Sequence, residues 1–89
     1  MMQYTVVLAR EDDGRYSVWV PALPGCATFG DTVEEALAMA EEAISGYIES
    51  LTARGLPVPR DNPKVNVDSE EYPVTMVRRV QVGEAAPVA

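Results

Sequence analysis

Histidine is missing from this chain altogether, cysteine occurs once, and lysine and arginine together number 7 against 14 aspartates and glutamates. Each shortage removes a class of function. Without an imidazole there is no Ser–His or Cys–His nucleophile pair and no His-ligated metal. A single cysteine, Cys26, makes neither an internal disulfide nor a thiolate zinc site, and it points to a reducing compartment, the cytosol. A formal charge of −7 and a pI near 4.3 leave little positive surface for nucleic acid or an anionic membrane. No apolar run approaches the ~18 residues of a membrane span. The opening Gln3-Tyr4-Thr5-Val6-Val7 lacks the basic region and long apolar core of a signal peptide, so the expected location is the cytoplasm. Gly-rich phosphate loops and the G-x-S-x-G motif are absent as well.

What is present fits one small domain. A chain of 89 residues buries only about 60–65% of its unfolded surface, so self-association would help it. Gln3 to Arg10, centred on Val6-Val7-Leu8, reads as a strand. Asp12-Asp13-Gly14 is a turn signal. Arg15 to Val20 then reads as a second strand, with Tyr16, Val18 and Val20 on one face and Ser17 and Trp19 on the other. Pro21 stops it, Leu23-Pro24-Gly25-Cys26 reverses the chain, and Cys26 to Phe29 makes a short third strand at an edge.

From Val33 the period changes. Val33, Ala36, Leu37, Ala40, Ile44, Tyr47, Ile48 and Leu51 recur at spacings of three and four, which predicts an amphipathic helix over residues 32–54. Thr32 with Glu35 has capping-box spacing, Asp31 with Glu34 offers the same one residue earlier, and Gly55 followed by Pro57 ends the helix. Residues 55–73, with Pro57, Pro59, Pro63 and Pro73, form a connector, and Val74 to Val82 a final strand in which Arg78 signals an edge. The domain spans residues 1–82, with a flexible tail over 83–89. The order β-β-β-α-β gives an α+β, two-layer sandwich with one long helix on a mostly antiparallel sheet. A helix joining strands of one sheet favours a right-handed crossover that sets the last strand parallel to an earlier one.

No catalytic constellation emerges. Glu11-Asp12-Asp13 lacks the spacing of a calcium loop and reads as a solvated turn. Cys26 has no basic neighbour to activate it and reads as a small buried hydrophobe. No cofactor or metal is implied. Charge is more informative. Residues 31–54 carry six acids, Asp31, Glu34, Glu35, Glu41, Glu42 and Glu49, against Arg54 alone, so five of the seven excess negative charges lie on or at the helix. Such a face steers towards a basic partner, or simply solvates the helix. On the far side of the sheet, Trp19 with Val7 and Thr5 has the composition of an interface core, through which the chain would form a dimer or tetramer.

The motifs also carry a resemblance. Val20-Pro21-Ala22-Leu23-Pro24-Gly25-Cys26, Gly30-Asp31-Thr32-Val33-Glu34-Glu35-Ala36 and Gly55-Leu56-Pro57-Val58-Pro59, behind a Tyr-led first strand and an acidic-Gly hairpin, resemble the N-terminal domain of the HicB-like antitoxin family over residues 4–60. The resemblance implies a partial ribonuclease-H-like fold whose final strand neighbours the first, without nuclease activity. It implies a partner too, a small basic HicA-type toxin that cleaves mRNA and that the antitoxin neutralises, with Glu34, Glu35, Glu41, Glu42 and Glu49 as candidate contacts. Family members commonly add a DNA-binding segment. Only 35 residues follow Arg54, with no second amphipathic helix, so the expectation is a stand-alone member without direct nucleic-acid contact. The other reading is an orphan domain of this fold serving as a homo-oligomeric adaptor or small-ligand binder.

Overall fold

The computed structural model describes residues 2–62 and 76–82. The elements are β1 (Met2–Arg10), β2 (Tyr16–Trp19), β3 (Ala27–Gly30), α1 (Val33–Ala53) and β4 (Met76–Val82). They form a four-stranded sheet in the order β3-β2-β1-β4 with α1 on one face. The fold is the α+β sandwich expected, and β3 and β4 are its edges.

Local chemistry explains the elements up to the helix. In the hairpin, Gly14 takes a positive φ of 89°, and the Asp13 carboxylate accepts the Arg15 N–H at 3.0 Å. The link from β2 to β3 folds over Leu23, which is fully buried, and is closed by bonds from the Leu23 N–H to the Val20 carbonyl and from the Cys26 N–H to the Leu23 carbonyl. Thr32 Oγ1 accepts the Glu35 N–H at 3.0 Å, so Thr32 is the N-cap. The Glu35 carboxylate reaches back to the Asp31 N–H at 3.1 Å, one residue earlier than a standard capping box. At the other end, Gly55 (φ 69°) and Leu56 return N–H bonds to Thr52 and Leu51, satisfying carbonyls that α1 leaves open.

The core lies between α1 and the sheet. Ala36, Ala40, Ile44 and Ile48 recur every four residues along the buried stripe of the helix. They pack against Tyr4, Val6 and Leu8 of β1, Val18 of β2, and Val80 and Val82 of β4. Gly30 sets how closely β3 approaches the helix: a Cβ there would lie 2.5 Å from the Ala36 nitrogen and 2.8 Å from its Cα.

β4 runs antiparallel to β1, with Tyr4 opposite Val80 and Val7 opposite Val77. The parallel return is therefore corrected, whereas its place beside β1 is as the resemblance implies. Two residues separate β3 from α1, so the helix starts where β3 ends and makes the return journey alone. A parallel β4 could begin directly after it. Instead 22 residues separate Ala53 from Met76, enough to carry the chain back to the opposite end of the sheet. The crossover rule governs parallel connections only. Pro63 and Pro73 of the connector, Val74 and Thr75 of the expected strand and the 83–89 tail lie outside the described residues.

The described start of the connector is tied to β1. β2 leaves the sheet at Pro21, which exposes the β1 edge at Thr5. Asp61 fills that gap, its carboxylate accepting the Thr5 N–H at 2.7 Å and the Thr5 hydroxyl at 2.8 Å. Beside it the Tyr4 hydroxyl donates to the Pro59 carbonyl at 2.6 Å. Burial, with the Asp61 charge adding to it, pushes the Tyr4 phenol above its ordinary value.

These contacts set expectations for stability. Gly30→Ala is expected to cost about 1–3 kcal/mol through overpacking, whereas Gly46→Ala, in open space on α1, is expected to gain up to ~1 kcal/mol. Urea unfolding of the two variants separates them by sign. Asp61→Ala strands a buried N–H and is expected to cost roughly 2–3 kcal/mol, and Asp61→Asn, which keeps an acceptor, less. A phenol raised in the folded state contributes in full below the unfolded value of 10.0 and fades as pH climbs through the folded one. Stability is therefore expected to fall in alkali. The buried Cys26 thiol, pushed up from 9.0, adds to the early part of that fall. A pH series of unfolding curves for Tyr4→Phe is expected to run lower but flatter above about pH 10.

Candidate functional site

The side of α1 turned away from the sheet is acidic because its inward stripe takes the apolar residues. Seven residues make nearly two helical turns and about 10 Å of rise. Glu35, Glu42 and Glu49 therefore stand in one line opposite the buried stripe, and Glu34 and Glu41 in a second line on its flank. All five are exposed. Glu35 is committed to the helix start through Thr32 and Asp31. Glu34, Glu41, Glu42 and Glu49 have no hydrogen bond or ion pair among the described residues, so their charge is directed at solvent or a partner. Beside the first line lies a shallow depression of about 280 Å³, lined by Gly46, Glu49, Ser50 and Ala53. Met39, also exposed, lies near that line on the helix surface. Of these neighbours only Gly46 carried a signal in the sequence, as a glycine inside a helix with no internal contact to require it.

The other candidate surface is the sheet face turned away from α1. Trp19 pairs directly with Val7, and Thr5 follows two residues away on the same face, as strand alternation predicts. Their exposure differs. Val7 is fully buried and Thr5 only 2% exposed, with its polar atoms held by Asp61, while Trp19 is partly exposed. The large apolar side chains that reach solvent here are Phe29 (56% exposed) and Val77 (40%). Strand parity could have located both, since Phe29 lies opposite Ser17 and Val77 opposite Val7.

Several other polar side chains are occupied locally. The Ser17 hydroxyl donates to the Glu11 carboxylate at 2.8 Å, and Arg15 pairs with Asp13 at 3.5 Å, so two of the three turn acids serve the hairpin. Cys26 is buried, and burial pushes its thiol up, away from the reactive thiolate. Tyr47 donates to the Pro24 carbonyl at 2.9 Å and holds the Pro-Gly loop against the helix. No helix among the described residues is long and apolar enough to cross a membrane.

Known proteins with this pattern converge on one family. The sequence profile described as "HicB_like antitoxin of bacterial toxin-antitoxin system" matches residues 4–86. UPF0150 protein Ta0767 of Thermoplasma acidophilum is 54% identical over 61 residues, covering 68% of this chain and 88% of the relative. Among solved structures, the N-terminal domain of the Burkholderia pseudomallei antitoxin HicB aligns with a TM-score of 0.71 at 27% identity, covering 91% of this chain and 98% of that one. A chain of the HicA3 and HicB3 toxin-antitoxin complex aligns with a TM-score of 0.72 at 25% identity, covering 93% and 100%. With its residues 4–86 matched and its sheet order and helix placed as described, the chain belongs to the HicB-like antitoxin family.

Proposed function

We propose that this protein is an antitoxin that neutralises a basic, RNA-cleaving toxin of the HicA type by binding it on the outward face of α1, without catalysis and without touching nucleic acid itself. The observation that carries the reading is the double line of unpaired carboxylates, Glu34, Glu41, Glu42 and Glu49, on a helix that is 21 residues long and fixed at both ends. Their charge is presented by a rigid element, so little conformational freedom is lost when a cationic surface meets it. Long-range attraction speeds the encounter, and like charge turns nucleic acid away. The structural likeness to a chain of a HicA3–HicB3 complex supports a partner of that class. The shallow depression at Gly46, Ser50 and Ala53 would let a partner side chain approach the helix backbone beside Glu49.

The test is direct. Glu42→Lys with Glu49→Lys reverses two exposed charges without touching the core. Against a HicA-type toxin at low salt, the double variant is expected to lose at least tenfold in association rate, and the wild-type rate is expected to fall steeply as salt rises. Helical content and melting temperature are expected to stay within a few degrees of wild type. Unchanged kinetics in the double variant, measured by surface plasmon resonance, would remove the helix face from the interface.

A further inference from the structure

The hairpin tip joins two features that partner binding on α1 leaves unused, an Asp-Gly pair and an exposed aromatic ring. Asp13-Gly14 is the one place in the chain where an aspartate or asparagine precedes glycine. Glycine has no Cβ, so its nitrogen meets the least hindrance in approaching the side-chain carboxyl of the residue before it. Asn62 precedes Pro63, which has no N–H, and Asn66 precedes the β-branched Val67. The Asp13 side chain is 62% exposed, so water reaches it. In the folded turn the two groups are engaged separately. The Gly14 N–H donates to the Glu11 carbonyl at 2.9 Å. One Asp13 carboxylate oxygen accepts the Arg15 N–H at 3.0 Å, and the other lies 3.5 Å from Arg15 Nε. The Arg15 guanidinium is itself seated over the Phe29 ring, 4.7 Å from its centre.

We propose that Asp13 is a site of spontaneous isoaspartate formation, and that Arg15, steadied by Phe29, slows it. The Gly14 nitrogen attacks the Asp13 carboxyl carbon, and the carboxyl OH leaves with the amide proton as water. Water then opens the resulting five-membered ring. Opening at the side-chain carbonyl restores aspartate. Opening at the main-chain carbonyl leaves the backbone running through Cβ and Cγ, with a free α-carboxylate. Mass and charge are unchanged, but the backbone is longer by one methylene. That methylene lies inside the turn closed by the Glu11 N–H on the Arg15 carbonyl at 2.7 Å, next to the Arg10–Tyr16 pair, so it loosens the end of the β1–β2 ladder. Attack needs the nitrogen and carbon about 3–3.5 Å apart and aligned. The turn must therefore first release Gly14 from Glu11 and Asp13 from Arg15. The backbone bonds supply most of this restraint, while the exposed ion pair and its aromatic support supply less. The proposal concerns the chain alone and does not depend on the toxin reading.

Prolonged incubation of the full chain at neutral pH tests it, followed by peptide mapping that separates isoaspartate from aspartate. A synthetic peptide of residues 11–16 is the unrestrained reference. Conversion is expected at Asp13 and not at Asp12, Asp31 or Asp61, and about tenfold more slowly than in the peptide. Arg15→Gln is expected to speed it about two- to fivefold, as loss of an exposed ion pair allows, and Phe29→Leu about twofold. Both positions are exposed, and both variants are expected to keep the circular dichroism of the wild type. Absence of isoaspartate at Asp13 once the peptide has fully converted overturns the site. Conversion as fast in the folded chain as in the peptide overturns the restraint by the turn. One rate shared by the wild type and both variants overturns the role of Arg15 and Phe29.

Discussion

β1 is withdrawn from water on both faces, and the other elements are placed by what they cover there. Tyr4, Val6 and Leu8 face α1, while Thr5, Val7 and Ala9 are buried on the other side. A strand of this kind belongs at the centre of a sheet, and β2 and β4 flank it accordingly. The helix closes one side because its apolar stripe repeats every four residues and because Gly30 lets its first turn lie against β3 without a side chain between. The constraint has one gap, at Thr5, where β2 turns away at Pro21. There a carboxylate does the work of a neighbouring strand: Asp61 receives the β1 N–H that the ladder leaves open. An unpaired N–H at so buried a position would cost more than most single contacts in the domain contribute.

Charge is partitioned about this core. The acids of α1 point away from the sheet and have little to do with stability, since exposed carboxylates contribute small and salt-screened energies. Their effect is on encounter. The opposite face holds Arg15 and Arg79 and the exposed Phe29 and Val77. The domain thus offers two surfaces of contrasting chemistry, back to back on a scaffold of 89 residues. In so thin a fold, with a single helix on a single sheet, the far side of the flanking strands keeps Phe29 and Val77 in contact with water, while that of β1 is buried.

Features governed by neighbours in the chain were legible in the residues. Gly14 and Gly55 mark positive-φ positions because a side chain there would strain the backbone. Thr32 marks the helix start because its hydroxyl reaches an N–H three residues on. The three-and-four spacing located the helix and the side of it that carries Glu34, Glu35, Glu41, Glu42 and Glu49. Strand alternation placed Trp19 with Val7 and Thr5. It did not reveal that Val7 and Thr5 are buried while Phe29 stands out, because exposure depends on which neighbours flank each position across the sheet.

By itself, then, the sequence determined the order of the elements, the two ends of the helix, its acidity and the family, all properties of contacts within a few residues or of motif spacing. Only the tertiary structure decided the direction of β4, the clamp between Thr5 and Asp61 and the apolar residues left on the far face. The physical reason is separation along the chain. Thr5 and Asp61 are 56 residues apart, and β4 can approach β1 from either end when 22 residues precede it. A connector of that length permits both directions at nearly the same entropic cost, so the choice rests with packing and hydrogen bonding in the assembled sheet.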